Sequence, residues 1–135
     1  FVSNAGKNIR VLLADDHKIL REGIAGLLEE QSDIEIVGEA SDGQMAVDMA
    51  RELQPDVVVM DVTMPRLNGV EATRRITREV PDVAVIGLSI HEEEDMATAM
   101  REAGAADYRS KGGPSNALVL AIRNSRAAPG HAPQG

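Results

Sequence analysis

Two short apolar runs in this chain each end in carboxylates. Residues 11–14 are followed at once by Asp15 and Asp16, and residues 57–60 are followed by Asp61. Continuous apolar runs of this length, bounded by turn residues, predict strands that are buried on both faces of a parallel sheet. A carboxylate is costly to bury, so its position at a strand end indicates a functional crevice. For one isolated Asp, however, the start of a turn is the simpler explanation.

Together, the two strand ends predict an acidic site. If the two strands are neighbours in a parallel sheet, their carboxyl ends bring three acidic side chains into one crevice. Three carboxylates held close together repel one another and raise one another's pKa unless a cation neutralises them. An all-oxygen cluster, with neither Cys nor His at metal-ligand spacing, suits a hard ion such as Mg2+. We expect His17, which follows the acidic pair, to line the crevice rather than to bind a metal ion.

Length and composition restrict the class of protein. The 135 residues are enough for one domain with a buried core, and the absence of Cys excludes disulfide and thiolate chemistry. The net charge of -8, with one Tyr and one Phe, argues against a nucleic-acid-binding surface. The apolar runs are too short to cross a membrane and no signal segment opens the chain, so we expect a soluble, cytoplasmic domain without membrane contacts of its own.

The apolar pattern alternates strands with helices and predicts a three-layer α/β/α sandwich around a five-stranded parallel sheet. The predicted strands are 9–14, 34–40, 57–60, 83–88 and 105–110, the second of them an edge strand. Helices are predicted after each strand, with Ser41 or Asp42 as one N-cap, Asn68-Gly69 before another, and the last at 115–126. In the first two helices, the residues expected to face the core are Ile19, Leu20, Ile24, Leu27 and Leu28, and Met45, Ala46, Met49, Ala50 and Leu53.

All the candidate polar side chains then lie at the carboxyl edge of the sheet, where Ser89 and Lys111 join the three acids. This combination is far more specific than any single member. It resembles the CheY-like receiver domain of bacterial two-component signalling over nearly all of residues 9–125, which implies the flavodoxin-like strand order 2-1-3-4-5. The segments VLLADDH, REG, SDG, DVTMPRLNGVEATRRI and LSIH are most similar to the NarL/FixJ (LuxR-type) branch. Residues 1–8 are expected to be a loosely held leader, 9–126 the receiver, and 127–135 a linker or tail.

The resemblance implies a phosphoryl-accepting site. Asp61 would be the phosphoacceptor, and Asp16 and Asp61 would bind Mg2+ together with the backbone carbonyl of Thr63. Asp15 would hold the ion through water. The chemistry is consistent with these roles, because phosphoryl transfer requires mainly positioning and charge stabilisation, and a carboxylate is an accepted phosphoryl nucleophile.

The resemblance also implies a switch around Ser89. Once Asp61 is phosphorylated, Ser89 can move to hydrogen-bond the phosphoryl group, and the vacated space admits an aromatic ring from the fifth strand. Tyr108 matches the family's switch aromatic, and a partly buried Tyr that packs on the fourth helix is an equal alternative. Thr63 and His91 match positions that modulate dephosphorylation in the family.

Lys111 would contact the phosphoryl oxygens together with Ser89, but the segment after it departs from the family. Many receivers have Pro after this Lys, preceded by a cis bond, whereas residues 112–114 here are Gly-Gly-Pro. A cis bond between Lys111 and Gly112 would cost about 2.5 to 4 kcal/mol, so the geometry of this bond is left open.

The leading interpretation is a receiver that takes phosphate from a histidine kinase or a histidine phosphotransfer protein and passes on a conformational signal. It would catalyse its own phosphorylation and hydrolysis without being a metabolic enzyme. The alternative is a receiver-like interaction module that takes no phosphate. A Mg2+-dependent phosphohydrolase is disfavoured by Thr63, which stands where a second acid would be needed, and a dinucleotide-binding domain by the lack of a G-x-G-x-x-G loop.

The larger protein to which such a receiver would belong is left open between two contexts. One is a DNA-binding LuxR-type transcriptional regulator, and the other is a hybrid sensor histidine kinase that ends in a receiver. The segment GGPSNALVLAIR and the short Pro/Gly tail are compatible with the second context. Homodimerisation is left open as well.

Overall fold

The computed structural model describes residues 8–62, 68–89, 94–110 and 115–127. Within these ranges, five strands alternate with five helices. The strands are β1 (Ile9–Ala14), β2 (Ile34–Ala40), β3 (Val57–Asp61), β4 (Ala84–Ser89) and β5 (Asp107–Ser110). The helices are α1 (Lys18–Glu29), α2 (Gly43–Leu53), α3 (Gly69–Glu79), α4 (Glu94–Glu102) and α5 (Ser115–Ala127). All strand pairs are parallel, and the order β2-β1-β3-β4-β5 confirms the predicted fold class.

The sheet separates two buried layers, because successive side chains of a strand point to opposite faces. In β3, Val58 and Met60 pack into the layer with α2, α3 and α4, whereas Val57 and Val59 pack into the layer with α1 and α5. The central strands β1 and β3 therefore bury both faces, which explains their continuous apolar runs. Among the described residues, every helix is too short or too polar to cross a bilayer.

Two helices begin close to the predicted positions, and of the two predicted cap candidates, Ser41 and Asp42, it is Asp42 that caps α2. The Asp42 side chain accepts a hydrogen bond from the Met45 backbone N–H at 2.8 Å. The Asn68 side chain accepts one from the Glu71 backbone N–H at 2.9 Å. Each bond satisfies a donor that the first turn of a helix leaves without an intrahelical partner. These two caps fix where α2 and α3 begin.

Some helix faces and strand ends differ from the prediction. Ile19 and Leu20 were expected in the core but are 83% and 42% exposed, since the first turn of α1 lies beyond the strand end at Ala14. Met45 is 39% exposed, because it lies outside the buried face of α2. That face consists of Gly43, Ala46, Val47 and Ala50. Strand β5 covers four residues rather than six, in keeping with its weak apolar character.

Candidate functional site

The predicted acidic side chains converge at the carboxyl edge of the sheet. Ala14 of β1 is paired with Met60 of β3. Asp15 and Asp61 directly follow these two residues, so they lie at adjacent positions on the same edge of the sheet. Asp15 is 0% and Asp61 1% exposed, whereas Asp16 lies at the surface. One oxygen of each carboxylate and the Nδ1 atom of His17 all lie within 4.8 Å of one another. The structure thus brings the three acids together, as the strand pattern predicted, and adds an imidazole.

The loop between β1 and α1 is held by hydrogen bonds from both sides. The Asp15 N–H donates to the Ala40 carbonyl of β2 at 3.0 Å, and the His17 N–H donates to Asp15 Oδ1 at 2.8 Å. Arg21 in α1 donates from Nη1 to the Asp15 carbonyl at 2.6 Å and from Nε to Glu39 Oε1 at 3.0 Å. Its side chain is 15% exposed. Arg21 therefore positions the acidic loop. The sequence did not indicate this role, because an Arg on a helix is usually exposed to solvent.

The end of β3 is held by a close approach of α3. The Val62 N–H donates to the Leu88 carbonyl at 3.1 Å, and the Gly69 N–H donates to the Val62 carbonyl at 3.0 Å. A Cβ atom at Gly69 would lie 2.2 Å from the Asp61 carbonyl oxygen and 2.6 Å from the Val62 Cα atom. The first residue of α3 must therefore be Gly, because any side chain would meet the backbone of the strand end. The Asn68-Gly69 pair had indicated a turn but not this contact.

Ser89 and Tyr108 lie on the strands beside Asp61. Asp61 is paired with Leu88, so Ser89 extends one residue further along the same edge, where it is buried. Tyr108 is paired with Gly87, and its ring lies against the Gly87 backbone. The Tyr108 hydroxyl is buried and has no hydrogen-bond partner among the described residues. The Tyr108 ring is partly buried and packed against the core. The role of Tyr108 as a switch residue stays a prediction.

Three predicted site residues fall outside the described part of the chain. They are Thr63, His91 and Lys111. The bond between Lys111 and Gly112 lies outside it as well. The described site consequently comprises Asp15, Asp16, His17 and Asp61, with Ser89 on the adjacent strand.

The donor set of this site fits a divalent cation. Mg2+ takes oxygen ligands, and the described residues supply three carboxylates, two of them almost fully buried. Buried carboxylates in mutual contact are unfavourable unless a positive charge offsets their repulsion. The acidic cluster is therefore compatible with Mg2+ binding.

Comparison with known proteins identifies the family. Residues 11–123 match the family model described as "Response regulator receiver domain". The chain therefore belongs to the response regulator receiver domain family, whose members act in two-component signalling. This result confirms the receiver domain that the resemblance implied on the basis of the three acids, Ser89, Lys111 and the quoted segments.

Individual relatives agree with this family and with its LuxR-type branch. The chain is 47% identical over 116 residues to the response regulator UvrY of Escherichia coli strain K12, and 44% identical over 115 residues to the response regulator GacA of Pseudomonas aeruginosa. The matches cover 86% and 85% of this chain but 53% and 54% of the two relatives, so the chain spans about half the length of the curated relatives it matches.

A solved structure supports the same assignment. A LuxR-family two-component response regulator from Aurantimonas sp. SI85-9A1 is 37% identical to the chain, with a TM-score of 0.86. The match covers 90% of this chain and 86% of that structure. The CheY-like fold and the NarL/FixJ (LuxR-type) branch are thereby confirmed.

Proposed function

We propose that this receiver accepts a phosphoryl group on Asp61 from a phosphohistidine of a histidine kinase or of a histidine phosphotransfer protein. The observation that carries the proposal is the position of Asp61. Its side chain is 1% exposed and lies at the end of a central strand, among the carboxylates of Asp15 and Asp16. A carboxylate placed there, at the edge where ligands of doubly wound sheets bind, is suited to act as a nucleophile.

In the proposed transfer, an Asp61 carboxylate oxygen attacks phosphorus while the phosphorus–nitrogen bond to the donor histidine breaks. The electron pair of that bond stays on the donor nitrogen, which takes up a proton and becomes a neutral imidazole. The product on this chain is an acyl phosphate at Asp61. Its hydrolysis by water returns the carboxylate and releases inorganic phosphate, so the domain is a self-resetting switch rather than a metabolic enzyme.

Asp16 and Asp61, with the Thr63 carbonyl, are proposed to hold Mg2+ directly, and Asp15 is proposed to hold it through water. When bound, Mg2+ supplies positive charge that stabilises the phosphoryl oxygens during transfer. Arg21 supports this arrangement, because its hydrogen bond to the Asp15 carbonyl holds the acidic loop in place.

Ser89 and Lys111 are proposed to bind the phosphoryl oxygens. The switch would follow from a movement of Ser89 toward the phosphoryl group and a response of Tyr108 on the next strand. Two features support Tyr108: its ring rests on the small Gly87, and its buried hydroxyl lacks a hydrogen-bond partner among the described residues. A buried hydroxyl without a partner costs free energy, which favours a second position for the ring. Thr63 and His91 are proposed to modulate dephosphorylation.

The lengths of the relatives support a proposal about the larger protein to which the domain belongs. Because the chain spans about half of relatives that are response regulators, we propose that it is the receiver of a cytoplasmic LuxR-type regulator with a separate DNA-binding domain. A receiver at the end of a hybrid sensor histidine kinase is the competing context. The length of the complete reading frame and the domain that it encodes beside the receiver distinguish the two.

Intact mass after incubation with acetyl phosphate tests the central proposal. We expect a gain of one phosphoryl group in the presence of Mg2+, a much smaller gain when Mg2+ is chelated, and no gain in Asp61→Asn. Asp48→Asn is the matched control, since Asp48 is an exposed carboxylate on α2, remote from the site, and its variant should be modified normally. If the unaltered protein gains no mass while a known receiver is modified in parallel, the phosphate-independent module replaces the proposal.

A further inference from the structure

The imidazole of His17 enters the acidic cluster that the proposed function uses for Mg2+. Its Nδ1 atom lies 3.3 Å from Asp15 Oδ1, 3.2 Å from Asp16 Oδ1 and 3.9 Å from Asp61 Oδ2. We infer that His17 is a nitrogen ligand of this site, which then binds a divalent transition-metal ion such as Ni2+ in preference to Mg2+. The inference rests on the proposed metal site and goes beyond it in assigning a ligand and a class of metal.

The distances agree with ligands of a single ion. For metal–ligand bonds of about 2.1 Å, adjacent ligand atoms lie about 3 Å apart and opposite ones about 4.2 Å apart. The separations of His17 Nδ1 from the three carboxylates, 3.2 to 3.9 Å, fall within this range. The 3.3 Å separation from Asp15 Oδ1 also fits a hydrogen bond when Nδ1 carries the proton, so the ligand role requires the tautomer in which Nδ1 is unprotonated. His17 was expected only to line the crevice.

The backbone holds the imidazole in this direction. His17 precedes the first residue of α1 with an extended backbone, φ -93° and ψ 100°. Its N–H is bound to Asp15 Oδ1 at 2.8 Å, and the Asp15 carbonyl is bound by Arg21 at 2.6 Å. The His17 side chain is 49% exposed, so one side of the ring faces solvent while Nδ1 faces the carboxylates. A ligand on a short, hydrogen-bonded loop needs little reorganisation when an ion binds.

The nitrogen changes which ions the site prefers. Carboxylate and water oxygens suit Mg2+, whereas imidazole suits Ni2+, Zn2+ and other borderline ions. The site should therefore gain affinity for Ni2+ from His17, while its affinity for Mg2+ should come almost entirely from its oxygen ligands. Removing His17 should separate these two contributions.

Calorimetric titration of the whole chain with Mg2+ and with Ni2+ at pH 8 tests the inference. We expect Ni2+ to bind more tightly than Mg2+, and His17→Ala to weaken Ni2+ binding by about tenfold or more while it changes Mg2+ binding less than about threefold. The variant His131→Ala is the control, because His131 has no role in the proposed site, and it should retain tight Ni2+ binding. The visible absorption of bound Co2+ gives a second measure, because it changes when a nitrogen ligand is lost.

Other results would overturn the inference. An unchanged Ni2+ affinity in His17→Ala, or equal losses for both ions, would assign His17 a structural role. A higher affinity of His17→Ala for both ions would mean that the imidazole occupies the position of the cation in the unaltered chain. In each of these cases Mg2+ binding by the unaltered chain, and its loss in Asp61→Asn, would still support the proposed function. Conversely, Ni2+ binding that depends on His17 without any binding of Mg2+ would support the inference and contradict the proposed Mg2+ site.

Discussion

Acidic residues at the two edges of the same sheet have opposite surroundings. At the amino edge, the Asp33 carboxylate, just before β2, receives two hydrogen bonds from Arg123 of α5, at 2.8 and 2.9 Å. At the carboxyl edge, Asp15 and Asp61 are almost fully buried and lie close to Asp16. The amino edge is neutralised by a cation of the chain and ties α5 to the sheet. The carboxyl edge instead holds three carboxylates close together, two of them buried, in an arrangement that suits a divalent cation.

The largest expected effect at the carboxyl edge comes from Gly69→Ala. The new Cβ would lie 2.2 Å from the Asp61 carbonyl oxygen, which forces α3 away from the strand end. We expect a loss of about 3 kcal/mol in the free energy of unfolding, together with impaired phosphoryl acceptance. Chemical denaturation with circular dichroism measures the first effect, and intact mass after treatment with acetyl phosphate measures the second.

Gly26→Ala is the matched control, because Gly26 lies in α1 and a Cβ there would have no atom within 4 Å. This change should raise stability by up to about 1 kcal/mol, since Ala favours helix more than Gly does. Equal destabilisation by the two substitutions would show that the tight contact at Gly69 is not what holds the site.

Mg2+ should stabilise the carboxyl edge and leave the amino edge unaffected. An ion that binds the folded state raises its stability by about 2.7 kcal/mol at a free concentration of 100 times Kd. We therefore expect a clear rise in Tm for the unaltered chain and almost none for Asp61→Asn, as measured by thermal unfolding with and without Mg2+. Asp33→Asn should keep the full response to Mg2+. A response that is lost in Asp33→Asn and kept in Asp61→Asn would reverse the assignment of the two edges.

The individual strands could be predicted because they depend on local pattern, whereas the convergence of the acids was predicted on the condition that β1 and β3 are neighbours. The runs at 11–14 and 57–60 are typical of buried strands, and parallel strands place their carboxyl ends at one edge. Asp42 and Asn68 marked helix starts, because a cap bonds within three residues of itself. The strands that carry Asp15, Asp16 and Asp61 could therefore be predicted from local pattern, but their adjacency required the pairing of β1 with β3.

Features that depend on long-range contacts could not be predicted in the same way. Ile19 and Leu20 have the helical spacing of core residues but are exposed. Their spacing does not show whether the sheet extends beneath the first turn of α1. The direction of the His17 ring depends on a loop held by Asp15 and Arg21, and Arg21 itself is positioned by Glu39 of β2. The approach of Gly69 to Asp61 likewise requires the packed α3.

The smallest expected effect is a pH dependence at the amino edge. The hydrogen bonds from Arg123 hold the pKa of Asp33 below its ordinary value of 3.8 in the folded protein. Because the folded pKa is the lower one, the pair contributes stability above pH 3.8, and the contribution is lost as the pH falls through the folded pKa. The two side chains are 40% and 44% exposed, so solvent screening keeps the contribution small.

Asp33→Asn should accordingly lower stability slightly at pH 7, and the difference from the unaltered chain should vanish in acid. Denaturant unfolding at a series of pH values from about 7 down to about 2 measures this, with 0.5 M NaCl as a second condition because salt weakens an exposed ion pair. A difference that grows toward low pH, or one that salt leaves unchanged, would mean that Arg123 and Asp33 stabilise α5 through packing. The Arg123–Asp33 contact at the amino edge would then stabilise the fold by packing rather than by charge. The two edges would in that case not differ in how their acidic residues are neutralised.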